Sequence, residues 1–391
     1  MLSRRLPSER TPNPWARALA ARRAADAPLL DLTESNPTRV GLGGAGEVEL
    51  ASLADPRAAR YEPDPRGLAS ARRAIADYYR SRGQSIDPEH IVLTSGTSEA
   101  YAHLFRLLAD PGDAFLVSAP SYPLFEPLAA LEGVRIEPYR LVYDGRWHLD
   151  LGSVEAALAG DSRVRAIIVV QPNHPTGSCL DADEVEAFES VCERHDLALI
   201  SDEVFGDFNW SSDDRPLPSL LGERRVPAFV LGGLSKSCGM PQLKLSWIVA
   251  AGPNAARERA LQGLEWIADL FLSVSTPVQL ALPQLLEAGH DFRRRMRERL
   301  SANQRLLREL AVRRPAIDVL SGEGGWASVL RLPVLRTGEE WALALLERGV
   351  VVHPGHFYDI DGEAYVVVSL IPESEPFARA LAQIEASLAE A

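Results

Sequence analysis

The sequence predicts an α/β protein: a large domain with a mostly parallel sheet covered by helices, plus a smaller α+β domain from the N- and C-terminal segments. Three observations predict it. From Tyr61 to Trp247, short apolar runs alternate with helical segments at the spacing of strands joined by crossover helices. After Trp247 the alternation stops and long helical stretches take over. The first fifty residues lie outside the alternating region. The expected division is 1–50 for an N-terminal segment packing with the small domain, 51–284 for the large domain and 285–391 for the small C-terminal domain.

Taken in order, Pro14 to Ala27 reads as an arginine-rich helix with Asn13 as its cap and Pro14 at its first position. Leu29 to Leu32 is extended and leads into the polar turn Thr33 to Arg39. Gly41-Leu42-Gly43-Gly44-Ala45-Gly46 contains a G-x-G-x-x-G, but no buried strand precedes it and Asp55-Pro56 breaks the segment after it. A dinucleotide fingerprint needs both flanks, so this is expected to be a flexible loop. Helices are then predicted at Ala69 to Ser81, Glu99 to Leu108, Pro123 to Glu132, Ser153 to Ala159 and Asp183 to Arg194. Between them fall strands at Ile91 to Thr94, Ala114 to Ser118, Val134 to Tyr139, Arg165 to Val170 and Leu197 to Ile200. Pro227 to Leu231 and Leu245 to Ala251 read as two more buried strands. Asn254 to Leu272 and Pro277 to Arg313 are helical, and Ala327 to Leu330 and Tyr365 to Leu370 are strands around the helix Gly338 to Glu347.

Composition narrows the function classes. At 391 residues with 46% hydrophobic and 24% charged residues, the chain is long enough for two domains and a large core. A net charge of -13 argues against nucleic acid as a partner, because a phosphate-binding surface needs a basic excess. The cluster Arg293-Arg294-Arg295 with Arg297 reads as a solvated helix face. No apolar run approaches the roughly 20 residues that cross a bilayer, so no membrane association is expected. Met1 to Arg10 is polar and basic and is not expected to be a secretory signal. Cys179, Cys192 and Cys238 are odd in number and lack metal-ligand spacing, which suggests a reducing compartment, with the cytoplasm as the default and no metal site.

In a parallel sheet, ligands bind beyond the carboxyl ends of the strands. The predicted exits carry Ser95-Gly96-Thr97-Ser98, Ser121-Tyr122, His174, Asp202 and Ser235-Lys236, which could all converge on one crevice. The first is a hydroxyl-rich turn opening a helix, suited to phosphate and equally to plain helix capping. Asp202 ends an apolar strand, where a carboxylate is costly unless a cation pairs with it: a ring nitrogen or an internal arginine. Tyr122 could stack on a planar ring or simply pack. Lys236 and Lys244 are the only lysines in the chain and share one short segment. A lysine desolvated beside a buried strand loses its proton readily, and the neutral amine is what imine formation requires. Phosphate anchor, ring stack, carboxylate and amine together are the parts an electron-sink ring cofactor needs.

With these residues the chain resembles the fold type I pyridoxal-phosphate enzymes of aminotransferase class I/II. Ser95-Gly96-Thr97-Ser98-Glu99-Ala100 is similar to the family's phosphate turn, and Tyr122 to its stacking aromatic. Gln171-Pro172-Asn173-His174-Pro175-Thr176-Gly177 resembles its Asn-Pro-x-Asn-Pro-Thr-Gly loop. Asp202-Glu203-Val204-Phe205 resembles the Asp-Glu-x-Tyr strand end, Ser235-Lys236 the Schiff-base site, and His353-Pro354-Gly355 through Phe357 the Pro-Gly-x-x-Phe turn. Tyr61 with Pro65 to Gly67 looks like the segment whose tyrosine reaches the cofactor phosphate of the neighbouring subunit. The resemblance implies pyridoxal 5'-phosphate as cofactor, a homodimer with shared active sites, and small-molecule amino donors and acceptors as partners.

Several residues depart from the family's pattern. His174 and Phe205 stand where the family has the asparagine and tyrosine that contact the cofactor's phenolic oxygen, which implies a raised pKa for the cofactor–lysine imine. Lys244 replaces a phosphate-binding arginine, keeping the charge without the bidentate fork. Ser35 sits where a glycine is common. The last strand, Ala364 to Leu370, has no basic residue, and Val367 lies about where the family's carboxylate-clamping arginine does. Either another cation takes over, with Arg39, His353 and His356 as candidates, or the substrate lacks a conventionally placed carboxylate. The expected activity is an aminotransferase in which Lys236 is catalytic and Asp202 keeps the ring nitrogen protonated. The alternative is a lyase, cyclase or oxidase using the same cofactor, and a cofactor-binding regulator is a third reading.

Overall fold

The computed structural model describes residues 3, 5–6, 11–210, 216–360, 362 and 364–390, so the reading of Met1 to Arg10 lies largely outside the described residues. The N-terminal helix α1 (Pro14–Ala24) starts where Asn13 accepts the Ala16 N–H at 2.7 Å. After β1 (Leu30–Asp31) and the short α2 (Glu47–Ala51) comes α3 (Ala69–Arg80), whose buried face carries Ile75, Tyr78 and Tyr79. Then follow β2 (Ile91–Thr94), α4 (Thr97–Leu108), β3 (Ala114–Ala119), α5 (Phe125–Glu132), β4 (Arg135–Tyr143), β5 (Trp147–Leu149) and α6 (Leu151–Gly160). The alternation continues through β6 (Val164–Val170), α7 (Ala182–His195), β7 (Ala198–Asp202), β8 (Ala228–Gly233), the one-turn α8 (Leu234–Ser237) and β9 (Ser246–Ala251).

These strands form one sheet of eight in the order β2-β9-β8-β7-β6-β3-β4-β5. Neighbours from β8 to β4 run parallel, β9 is antiparallel to both β2 and β8, and β5 is antiparallel to β4. The central strands β7, β8 and β9 are buried at every position, as expected for a sheet covered on both faces. Each fully buried Ile or Leu there contributes about 1.5–3 kcal/mol of transfer free energy.

Past the sheet lie α9 (Asn254–Phe271) and α10 (Thr276–Arg313), a helix of 38 residues. The remainder is β10 (Asp318–Val319), β11 (Ala327–Arg331), α11 (Gly338–Glu347), β12 (Val350–Val351), β13 (His353–Pro354), β14 (Tyr365–Ser369) and α12 (Ser374–Ala389). A four-stranded sheet in the order β10-β11-β14-β13 organises it, and β1 pairs in parallel with β12. Trp15, Leu19 and Leu32 share a hydrophobic cluster with Phe292, Leu307, Trp341 and Ile384, so the chain's two ends pack together. The long α10 joins the clusters: Val278 to Leu286 pack under the large sheet, and Phe292 to Leu310 pack in the smaller unit. The expected division between 284 and 285 therefore falls within one continuous helix.

The glycine-rich segment differs from its expectation as a flexible loop. A Cβ on Gly44 would overlap the carbonyl oxygen of Cys238, so this backbone is pressed against the turn that follows Lys236. Among the described residues no helix is long and apolar enough to cross a membrane.

Candidate active site

The strand ends place the chemistry. Asp202 closes β7, and its neighbour β8 ends in Gly232-Gly233 before the turn that carries Lys236. Both glycines are required by close approach. A Cβ on Gly232 would sit 2.6 Å from the Trp247 indole nitrogen, and one on Gly233 would overlap the Ser246 side chain. The turn is braced from behind by the buried Arg293, which donates to the Ser237 carbonyl at 3.2 Å.

Lys236 and Asp202 face a cavity of about 400 Å³ between the large sheet and the smaller unit. The Lys236 Nζ lies 4.7 Å from the ring centre of Trp326 and 5.3 Å from that of Phe205. Desolvation among these rings pushes the amine down to about 8, although the negative charge of Asp202 opposes the shift. Burial likewise pushes Asp202 up to about 6, against the N–H of Val204 at 3.2 Å and the hydroxyl of Tyr101 at 3.0 Å. Tyr101 follows Thr97 by one helical turn on α4, which sets both toward the site. The adjacent Glu203 belongs to the fold. It accepts from Ser201 (2.8 Å), Ser219 (2.6 Å) and the Leu220 amide (2.8 Å).

His174 lines the same cavity, with its ring stacked 5.9 Å from Phe205 and edge-on to Tyr122 at 6.1 Å. Burial, with Lys236 and His353 nearby, pushes its imidazole down to about 3, so it is a neutral group at physiological pH. His353 shares a hydrogen bond of 2.8 Å between its Nδ1 and the Tyr358 hydroxyl, and burial pushes it down to about 4. Thr97, Tyr122, Ser35 and Val367 also border the cavity.

At the start of α4, the intrahelical bonds begin with the Glu99 and Ala100 amides, both donating to the Gly96 carbonyl. The Ser95 amide is taken by the Glu99 carboxylate at 2.6 Å. Lys244, in a left-handed conformation (φ 51°), brings its Nζ over this turn, 3.4 Å from where a Cβ on Gly96 would be. The Thr97 and Ser98 amides thus point forward beneath an ammonium group, a cradle that suits a phosphate.

Some expected site residues are elsewhere. Ser95, Gly96, Ser235 and Lys244 are not among the cavity-lining residues and belong to the turns beside it. Tyr61 is 76% exposed and outside its own chain's cavity. Arg39 and His356 do not line it either, in contrast with their expected place as carboxylate partners. The Arg39 side chain is 73% exposed and points to Glu34 at 3.5 Å, and His356 is exposed against Phe357. Trp326, Tyr358 and Tyr101 were missed. Trp326 precedes β11 immediately and Tyr101 lies four residues past Thr97, and both positions were signals available in the sequence. Among the described residues no group of histidine, cysteine and carboxylate side chains could hold a metal ion.

The family model described as aminotransferase class I and II matches residues 39–374. The chain is 28% identical over 264 residues to the glutamate-pyruvate aminotransferase AlaA of Escherichia coli, a match covering 66% of this chain and 63% of that protein. It is 31% identical over 226 residues to an S-alkyl-thiohydroximate lyase of Arabidopsis thaliana, covering 56% of this chain and 48% of the lyase. The matches thus span less than two thirds of either relative's length. Among solved structures, an alanine aminotransferase from Pyrococcus furiosus superposes with a TM-score of 0.87 at 22% identity, covering 100% of both chains, which establishes the likeness of fold.

Proposed function

The chain belongs to the aminotransferase class I and II family, and we propose that it moves an amino group from an amino donor to a keto acid or other carbonyl acceptor, using pyridoxal 5'-phosphate. The observation that carries this reading is that Lys236 and Asp202 line one cavity, beside a helix-opening turn under Lys244 that suits a phosphate. The residues present fit the cofactor. Among the described residues, the buried Asp202 carboxylate accepts from neutral donors, the Val204 amide and the Tyr101 hydroxyl, and a cationic ring nitrogen would complete it. Thr97, the glycine turn and Lys244 would hold the phosphate, Tyr122 would cover a ring face, and His174 and Phe205 would border the ring's oxygen side.

When bound, the cofactor supplies a carbonyl that condenses with amines and a ring that withdraws electrons from the amine-bearing carbon. The chain's residues do the rest. Lys236, as a neutral amine, holds and returns the proton of that carbon. Asp202 fixes the charge of the ring nitrogen, and the Trp326–Phe205 wall excludes water from the amine. The smaller unit closes the cavity over the large sheet through Trp326, His353 and Val367.

A homodimer completes the reading. Trp266, Leu270 and Leu272 are 70%, 66% and 69% exposed at the end of α9, an apolar patch of the kind that marks an interface. The Arg66–Glu265 ion pair at 3.2 Å brings the segment after Tyr61 beside that patch, which supports a role for Tyr61 toward a second copy.

The experiment is a screen of amino donors against the cofactor-loaded protein, following the cofactor's absorbance. Accumulation of the aminated cofactor supports amino transfer. Return of the starting band with release of an elimination product would mean the lyase reading, which the relatives' names favour less.

A further inference from the structure

We propose that the amino substrate is an apolar primary amine with no carboxylate on the carbon that bears the nitrogen. The inference rests on the aminotransferase reading and narrows its substrate class. Among the described residues, the cavity's lining holds one amine and one carboxyl, Lys236 and Asp202, and both are committed to the reaction. The remaining walls that one chain supplies are uncharged. Leu32, Leu124, Val204, Trp326 and Val367 give an apolar surface, and Ser35, Tyr122 and Tyr358 offer hydroxyls alone.

An α-carboxylate held here would be desolvated with no free cation to pair it, because Lys236 is committed to the reaction. Hydroxyl donors do not replace the charge-assisted, bidentate bonding that makes burial of a carboxylate tolerable. The two histidines in the wall do not supply the charge. His353 is engaged with the Tyr358 hydroxyl, and His174 is ringed by Phe205, Tyr122 and Tyr358. Arg39 points away from the cavity to Glu34, and Arg293 lies behind the lysine turn on the Ser237 carbonyl. Val367, fixed between Val329 and His353 in the small sheet, puts a methyl surface on the cavity wall.

The net reaction is balanced. The amine loses a C–H proton, an electron pair and its nitrogen, and its carbon takes oxygen from water to leave as an aldehyde or ketone. A carbonyl acceptor takes the nitrogen, the electron pair and the proton, and releases its oxygen as water.

The test uses the cofactor-loaded full chain and three matched pairs of probes: 2-phenylethylamine and phenylalanine, tyramine and tyrosine, 3-methylbutylamine and leucine. In single-turnover absorbance measurements at least one amine converts the cofactor to its aminated form, at least ~100-fold faster than its amino acid partner, as expected for a site that leaves a buried charge unpaired. A second readout is binding without reaction. By calorimetry, 3-phenylpropan-1-ol binds at least ~10-fold more tightly than 3-phenylpropionate, and Val367→Arg reverses that order. Amino acids reacting as fast as the amines, or tighter binding of phenylpropionate to the unaltered chain, overturns the proposal and leaves amino transfer standing. If no member of any pair aminates the cofactor, both this proposal and the aminotransferase reading fall.

Discussion

At the residue scale, the account turns on a half-buried amine and a buried carboxyl whose proton affinities move toward each other. Lys236 is pushed down to about 8 and Asp202 up to about 6, in both cases chiefly because burial penalises the charged form. For the cofactor-free protein this predicts that reductive methylation of Lys236, followed by mass spectrometry, rises through pH 8 and levels off above it. The neutral amine is the reactive form, so the rate must increase with pH; a rise centred near 10.5, the ordinary lysine value, would contradict the desolvation argument. Asp202 makes the complementary prediction. A cationic ring nitrogen binds the ionised carboxylate, so cofactor affinity falls as pH drops through about 6 and the carboxyl is protonated. Asp202→Asn should abolish that pH dependence and lower turnover by ~10²-fold or more, the size expected when a positioned charge is lost from a reacting site.

At the element scale, the lysine turn is held between a glycine-rich segment and a long helix. Gly44 meets the Cys238 carbonyl, and Gly239 (φ 64°) packs against Phe292 of α10. Gly44→Ala should therefore cost about 1–3 kcal/mol in denaturant unfolding, because the obstacle is backbone that cannot rotate away. An unchanged midpoint would show that the segment is free to move. This contact also shows what the sequence hides. The runs Ile91 to Thr94 and Leu197 to Ile200 were legible because burial on both faces leaves an unbroken apolar strand, and Asn13-Pro14 announced a helix start. The glycines of 41–46 are ambiguous in sequence because glycine's missing Cβ serves close approach and flexibility alike. The edge strand Trp147–Leu149 and the two-residue strands β10, β12 and β13 were missed, since pieces so short carry no period. Trp326 reaches Lys236 from about 90 residues downstream, and only the docking of the smaller unit brings them together. The strand-end residues of the candidate site were legible because they leave the sheet on one side; the wall across the cavity was not, because it belongs to packing between units.

At the scale of the whole molecule, one chain presents an exposed apolar patch and a tyrosine without a local role. Leu270→Arg, placed in the middle of that patch, should convert a dimer to monomers in sedimentation velocity and remove activity with it. A monomeric, fully active wild-type protein would contradict the shared site. In the dimer, Tyr61→Phe should weaken cofactor binding by ~10-fold or more, the worth of one hydrogen bond to a charged group. Unchanged affinity would mean that Tyr61 does not reach the partner's phosphate cradle.

The central claim is that Lys236, one of two lysines in 391 residues, is the amine that engages the cofactor. Borohydride reduction of the loaded enzyme, followed by peptide mass mapping, tests it most directly. The account predicts a reduced phosphopyridoxyl group on Lys236 and none on Lys244. A label on Lys244, or covalent trapping that survives Lys236→Ala, would contradict it.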